Sequence, residues 1–206
     1  MAKIKNFKNF INESNDDKNE IIQLCKKYFI ENYTINNDMT IDVDGNLNLE
    51  EKLENLDELP IRFNEINGNF YCGNNNLKSL KGSPRIVNGD FDCSNNKLVT
   101  LYGAPENIVN KYMGGNFNCS YNNLTSLEHI TKEVNDLNCD NNEIKTFYHF
   151  PKINGKLMLK NNPIEGYWTS FQKTEHIPYF NELGVLDRNG KFHSDRMAYF
   201  LSDVRE

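Results

Sequence analysis

The chain has 206 residues, a formal net charge of −6 and a hydrophobic fraction of 38%, with a mean hydropathy of −0.70. The acidic balance argues against a nonspecific nucleic-acid binder, which needs a basic face to neutralise phosphates. No apolar run approaches the roughly 18 residues of a membrane span, and the N-terminus lacks the apolar stretch of a secretory signal, so the expectation is a soluble protein made in a cytoplasm. With so few apolar residues, the fold must come from their placement.

Residues 1–13 form a short basic amphipathic leader, with Lys3, Lys5 and Lys8 set among Ile4, Phe7, Phe10 and Ile11. The residues allow two readings: a helix packed loosely on the body, or one that docks on a membrane surface or partner. The run Phe10, Ile11, Asn12, Glu13 also resembles the leader of internal head proteins of large myovirus-type bacteriophages. That resemblance implies targeting to the prohead, proteolysis after Glu13, and a processed protein in the virion interior that begins at Ser14.

Residues 14–39 read as a helical N-terminal cap. Ser14 and Asp17 make a capping box, and Asp16, Asp17 and Glu20 suit the positive end of a helix. Ile21, Leu24, Cys25, Tyr28 and Phe29 form one apolar stripe, expected to cover the otherwise open first turn of a repeat stack.

Residues 40–165 read as that stack, a repeat solenoid. Ile41, Val43, Leu47 and Leu49 alternate as an entry strand and divergent first repeat that closes on Leu53, Leu56, Leu59 and Pro60. Asp42, Asp44 and Asn46 around Gly45 lack the rest of a calcium loop's ligand pattern. From Phe70 the repeat is explicit: Phe70, Cys72, Asn75, Leu77, Leu80, Pro84; then Phe91, Cys93, Asn96, Leu98, Leu101, Pro105. Phe117, Cys119, Asn122, Leu124 and Leu127 come next, then Leu137, Cys139, Asn142, Ile144, Phe147 and Pro151. A degenerate copy, Leu157, Leu159, Asn162 and Ile164, ends the series. The insertion from Asn107 to Gly115 lengthens one loop, and Gly114-Gly115 turns it back into register.

Each residue type has a physical task. Strand alternation sends Phe70 and Cys72 inward and Asn69, Tyr71 and Gly73 outward. The Asn at 75, 96, 122, 142 and 162 falls where the strand leaves its line, so its amide is placed to bond the backbone of neighbouring turns. The prolines keep the return segment from becoming a regular helix. Cys72, Cys93, Cys119 and Cys139 share one position with no C-x-x-C pair, which fits reduced core thiols better than disulfides or zinc.

These repeats resemble leucine-rich repeats: the order Asn, Leu, Leu, Pro and further apolar residues is similar to the short, twenty-residue class of secreted bacterial effectors. Closer still are the Cys-bearing repeats of phage and bacterial proteins, with the approach Leu59-Pro60-Ile61 and the exit Asn162-Pro163-Ile164. Departures are Cys for Val or Leu in the strand, Thr131 for Pro, and the weak last copy. The resemblance implies an α/β repeat solenoid, a leucine-rich-repeat arc with short parallel strands on the concave face and helical caps at both ends. The ubiquitin-ligase activity of some such effectors does not carry over, because no Cys follows the last repeat.

Residues 166–206 read as a C-terminal helical cap in which Trp168 anchors against the last turn, Asp187 to Gly190 forms a turn and Ser194 caps a final helix carrying Met197, Phe200 and Leu201. No catalytic motif is present. His129 and His149 share one repeat position on adjacent turns, the sole lead for a metal-dependent enzyme; neither a metal nor another cofactor is expected. Function is expected on the outward strand face, at Tyr71, Asp90, Asp92, Asn116, Asn118, Asp136, Asn138, Asp140, Lys156, Met158 and Lys160. The fitting partner is a protein with a basic patch, bound by a monomer.

Overall fold

The computed structural model describes residues 17–53, 55–110 and 114–204. The leader, Glu13 and the Ser14 capping box lie outside them. The chain winds into a solenoid of about five stacked turns with parallel strands and few helices. Helix α1 (residues 17–27) comes first and buries Ile21 and Cys25, with Tyr28 just beyond, in the same core as the coils. Strand β1 (Tyr33–Ile35) then pairs antiparallel with β2 (Ile41–Val43).

From there each coil contributes two short strands. One series is β2, β4 (Phe63–Ile66), β6 (Ile86–Val87) and β8 (Asn107–Ile108), in order and parallel, with β1 at the edge. The other is β3 (Leu47–Asn48), β5 (Phe70–Tyr71), β7 (Phe91–Asp92), β9 (Phe117–Asn118), β11 (Leu137–Asn138) and β13 (Leu157–Met158), a continuous six-stranded parallel sheet. β10 (Glu133–Val134) and β12 (Lys152–Ile153) pair separately, so the first sheet is interrupted beside the insertion while the second runs through it. The repeated phrase marks only the second sheet. The first was foreshadowed by one apolar residue per repeat, too little to read as a strand.

A tight corner joins the two strands of a coil. At Ile66-Asn67-Gly68 and Val87-Asn88-Gly89 there is no space for a side chain: a Cβ on Gly89 would stand 2.7 Å from the Gly68 carbonyl group. Gly115 occupies the same column after the insertion and would likewise strike the Gly89 backbone, so the inserted residues are absorbed before the corner and the second strand keeps its register.

The core is a set of columns parallel to the stack. Phe63, Phe70, Phe91 and Phe117 succeed one another with ring centroids 5.5, 5.7 and 5.1 Å apart. Cys72, Cys93, Cys119 and Cys139 form a second column, all unpaired and fully buried. Burial pushes each of these thiols well above its ordinary range, which makes them unreactive packing groups.

The third column is the amide ladder. Asn122 is typical: Nδ2 donates to the carbonyls of Cys119 and Ser120 in its own coil and Cys93 in the coil before, while Oδ1 accepts from Leu98 N–H. Asn75, Asn96, Asn142 and Asn162 repeat the pattern. Each side chain therefore ties three backbone carbonyls and one amide across two coils. A neutral buried hydrogen bond contributes about 1 kcal/mol net, but an orphaned buried group costs about 1–3 kcal/mol, so the ladder's main effect is to forbid its own loss.

After β13 come α2 (Glu165–Trp168), a single 3₁₀ turn at Thr174–His176, α3 (Ile177–Leu183) and α4 (Ser194–Asp203). An aromatic cluster holds them together: Phe180 stacks edge-on against Phe147 at 5.3 Å and Phe200 at 5.1 Å, and Phe171 lies 5.2 Å from Phe200. Trp168 sits 5.3 Å from Phe171 and 6.5 Å from Phe147 of the solenoid. The Asp187 turn forms as its residues suggest, with Oδ1 accepting from the N–H of Asn189 and Lys191. Ser194 is a correction: it is the first residue of α4, His193 is the N-cap, and neither side chain makes a capping bond.

Candidate binding face

Strand pairing puts the outward side chains of the six-stranded sheet in rows. Asn48, Tyr71, Asp92, Asn118, Asn138 and Met158 stand opposite one another across β3 to β13. Flanking them on one side are Asn69, Asp90, Asn116, Asp136 and Lys156, and on the other Ser94, Ser120, Asp140 and Lys160. The residues singled out for binding thus lie together on one face, acidic and amide-rich in the middle and cationic on the last coil.

Several of them also hold the coil, which sequence reasoning missed. The side-chain oxygen of Asn46 accepts from Asn69 N–H, that of Asn69 from Asp90 N–H, that of Asp90 from Asn116 N–H, that of Asn116 from Asp136 N–H, and that of Asp136 from Lys156 N–H, at 2.7 to 3.1 Å. Asp140 Oδ1 accepts from Lys160 N–H at 2.6 Å. Asp92 Oδ1 accepts from Ser94 N–H and its Oδ2 from Asn118 Nδ2. The signal was in the sequence: Asn and Asp alternate in one column, and the property they share is a short side-chain acceptor.

Among the described residues Asp90, Asp92, Asp136 and Asp140 make no ion pair. The salt bridges that do form, Lys78–Asp57, Lys81–Glu58, Arg85–Glu106 and Lys152–Glu133, join exposed side chains outside these rows.

Tyr71 is held by Asn69, whose Nδ2 donates to the phenol oxygen at 2.6 Å. Met158 lies half-buried on the last strand, between exposed Lys156 and Lys160.

His129 and His149 have φ of 72° and 66° in the column where Gly82 and Gly103 have 93° and 91°. That column requires a left-handed turn, which Gly adopts freely and His tolerates better than most. His129 packs edge-on against exposed Tyr102 at 5.4 Å. Among the described residues no three His, Cys, Asp or Glu side chains are grouped to hold a metal ion, and no helix is long and apolar enough to cross a membrane. In the former calcium-loop candidate, Asp42 accepts from Asn64 Nδ2 and Asn46 from Asn69 N–H.

Coil and face together define a repeat protein of the parallel-strand solenoid class. No family model, curated protein or solved structure matches the chain.

Proposed function

We propose that the protein is a noncatalytic leucine-rich-repeat module that binds another protein through the outward face of its six-stranded sheet, the concave face of the repeat arc. The observation that carries this reading is the row of carboxylates at 90, 92, 136 and 140, fixed by backbone hydrogen bonds yet left without cations. Charges fixed in position and not neutralised within the chain favour a partner with a basic patch, steering encounter and setting orientation. Tyr71 and Met158 supply apolar contact at the two ends of the face. The helices at either end act in this reading as caps. The Cys-bearing repeat and the leader both support a phage-encoded module acting in the host cytoplasm or packaged in the virion.

Reversing these acids to Lys would also delete the acceptors that bind adjoining coils. The discriminating variant is therefore Asp90→Asn, Asp136→Asn and Asp140→Asn together, which removes three charges and retains each Oδ1; Asp92 stays, because its second oxygen accepts from Asn118 Nδ2. The expected result is salt-sensitive capture of a host or phage protein by the wild type, weakened about tenfold or more in the variant, with an unchanged melting temperature. Equal capture by both proteins would exclude this face.

A further inference from the structure

In the six-stranded sheet the inward-facing residues of each coil donate to carbonyls of the next. Phe70 and Cys72 donate to Asp90 and Asp92 carbonyls, Phe91 and Cys93 to Asn116 and Asn118, Phe117 and Cys119 to Asp136 and Asn138, and Leu137 and Cys139 to Lys156 and Met158. Leu157 and Leu159 are next in the series, and among the described residues nothing accepts from their N–H groups. Among the described residues both are thus strand-edge donors without a partner, the kind of group that a further strand satisfies.

Alongside runs an open groove of about 600 Å³. One wall is the last strand from Gly155 to Met158, and the other includes Trp168, Gln172 and Lys173, with Glu175 also in the lining. Leu157 is part of that lining. The side-chain pattern changes here too. In the preceding coil Asp136 and Asp140 accept from the next backbone, whereas their counterparts on the last coil are Lys156 and Lys160, both exposed.

We propose that the outer edge of β13 is a docking site for an extended peptide carrying carboxylate side chains, which adds as a further parallel strand in this groove. The peptide's carbonyls accept from Leu157 and Leu159 N–H, as the next coil's carbonyls do from the equivalent residues of the earlier strands of this sheet. Its acids meet Lys156 and Lys173 of the groove lining, with exposed Lys160 just beyond the strand, against Glu175. This is strand addition with main-chain bonds for affinity and charge for selectivity. The chain's own leader, with Lys3, Lys5 and Lys8, has the wrong sign. The site is separate from the acidic rows and does not depend on them. Lysines also guard exposed strand edges against pairing, and the experiment distinguishes guarding from docking.

The probe is a fluorescein-labelled Val-Glu-Val-Glu-Val peptide, titrated by anisotropy against the full chain and compared with Val-Lys-Val-Lys-Val. The expected result is saturable binding of the Glu peptide, about tenfold or more tighter than the Lys peptide, with amide exchange slowed at Leu157 and Leu159. The double variant Lys156→Glu and Lys160→Glu should invert the preference. Leu157→Pro, which deletes an edge donor that β11 does not use, should weaken binding about tenfold or more. No saturation at millimolar protein, equal affinity for the two peptides, or no preference change in the double variant overturns the proposal. So does undiminished binding by a folded Leu157→Pro protein. Should that variant not fold, the charge inversion decides. Concentration-dependent polymerisation abolished by Leu157→Pro would assign the edge to a second copy and overturn the peptide.

Discussion

The solenoid and the segment after it are held together by different physics. Between coils the same few groups recur in register, and polar side chains take a large share: every buried ladder amide satisfies backbone on two turns, as Asn122 does for Cys93, Leu98, Cys119 and Ser120. In residues 165–204 the centre is aromatic, with Phe171, Phe180 and Phe200 meeting one another and Phe147 of the solenoid at 5.1 to 5.7 Å. A ladder is specific because its partners are directional and costly to orphan, whereas an aromatic cluster tolerates varied crossing angles and is additive in buried area. Repetition suits the first and a single closing layer suits the second.

The sharpest way to break that contrast is Asn122→Ala. It removes four hydrogen bonds in mid-stack and orphans the Leu98 N–H, while the carbonyls of Cys93, Cys119 and Ser120 each keep a second donor in Asn96, Asn142 and Asn95; at about 1 kcal/mol per bond, a loss of about 4 kcal/mol is expected. Urea unfolding followed by circular dichroism measures it; a loss under about 1 kcal/mol would show that the ladder is replaceable.

Phe180→Ala should cost somewhat less, about 3 kcal/mol, as a large-to-small change inside the aromatic cluster. Its effect should be local. Amide exchange is expected to accelerate across α3 and α4 while the amides of β5, β7 and β9 keep their protection; equal acceleration throughout would make the two regions one cooperative unit.

The smallest effect sharpens the account of the thiol column. Burial raises the folded pKa values of these cysteines above the unfolded value near 9. Stability from the column is thus fully present below pH 9 and declines above it, because only the unfolded chain releases those protons. Each thiol contributes a slope of about 1.4 kcal/mol per pH unit. Cys119→Val should flatten the alkaline unfolding curve by one such increment, and an unchanged slope would mean the column titrates before the coils open.

Much of the coil was legible because its residues repeat. Phe70, Cys72, Asn75 and Leu77 name an inward strand, its exit and the return, and the hydrogen bonds of Asn75 stem from an amide placed where the backbone turns. The first sheet was harder to see, since Ile66, Val87 and Ile108 are single apolar letters whose strands exist only through pairing with adjacent coils. The face was half legible. Alternation put Asp92, Asn118 and Asn138 outward, but it could not say that Asp90 and Asp136 spend an oxygen on the next coil's N–H, because that depends on the stagger between turns. The histidines share a column that imposes a left-handed backbone angle, with φ of 72° and 66°, a requirement that the residue types alone did not reveal.

The columns also make the molecule's length a discrete variable. Because each ladder residue speaks only to the coil before it, removal of residues 76–96 joins Asn75 to Lys97 and leaves contacts of the same kind on either side of the seam. Cutting a partial coil would instead misalign the phenylalanine, thiol and amide columns at once. The chain is therefore divisible only in whole coils, whatever the length of each.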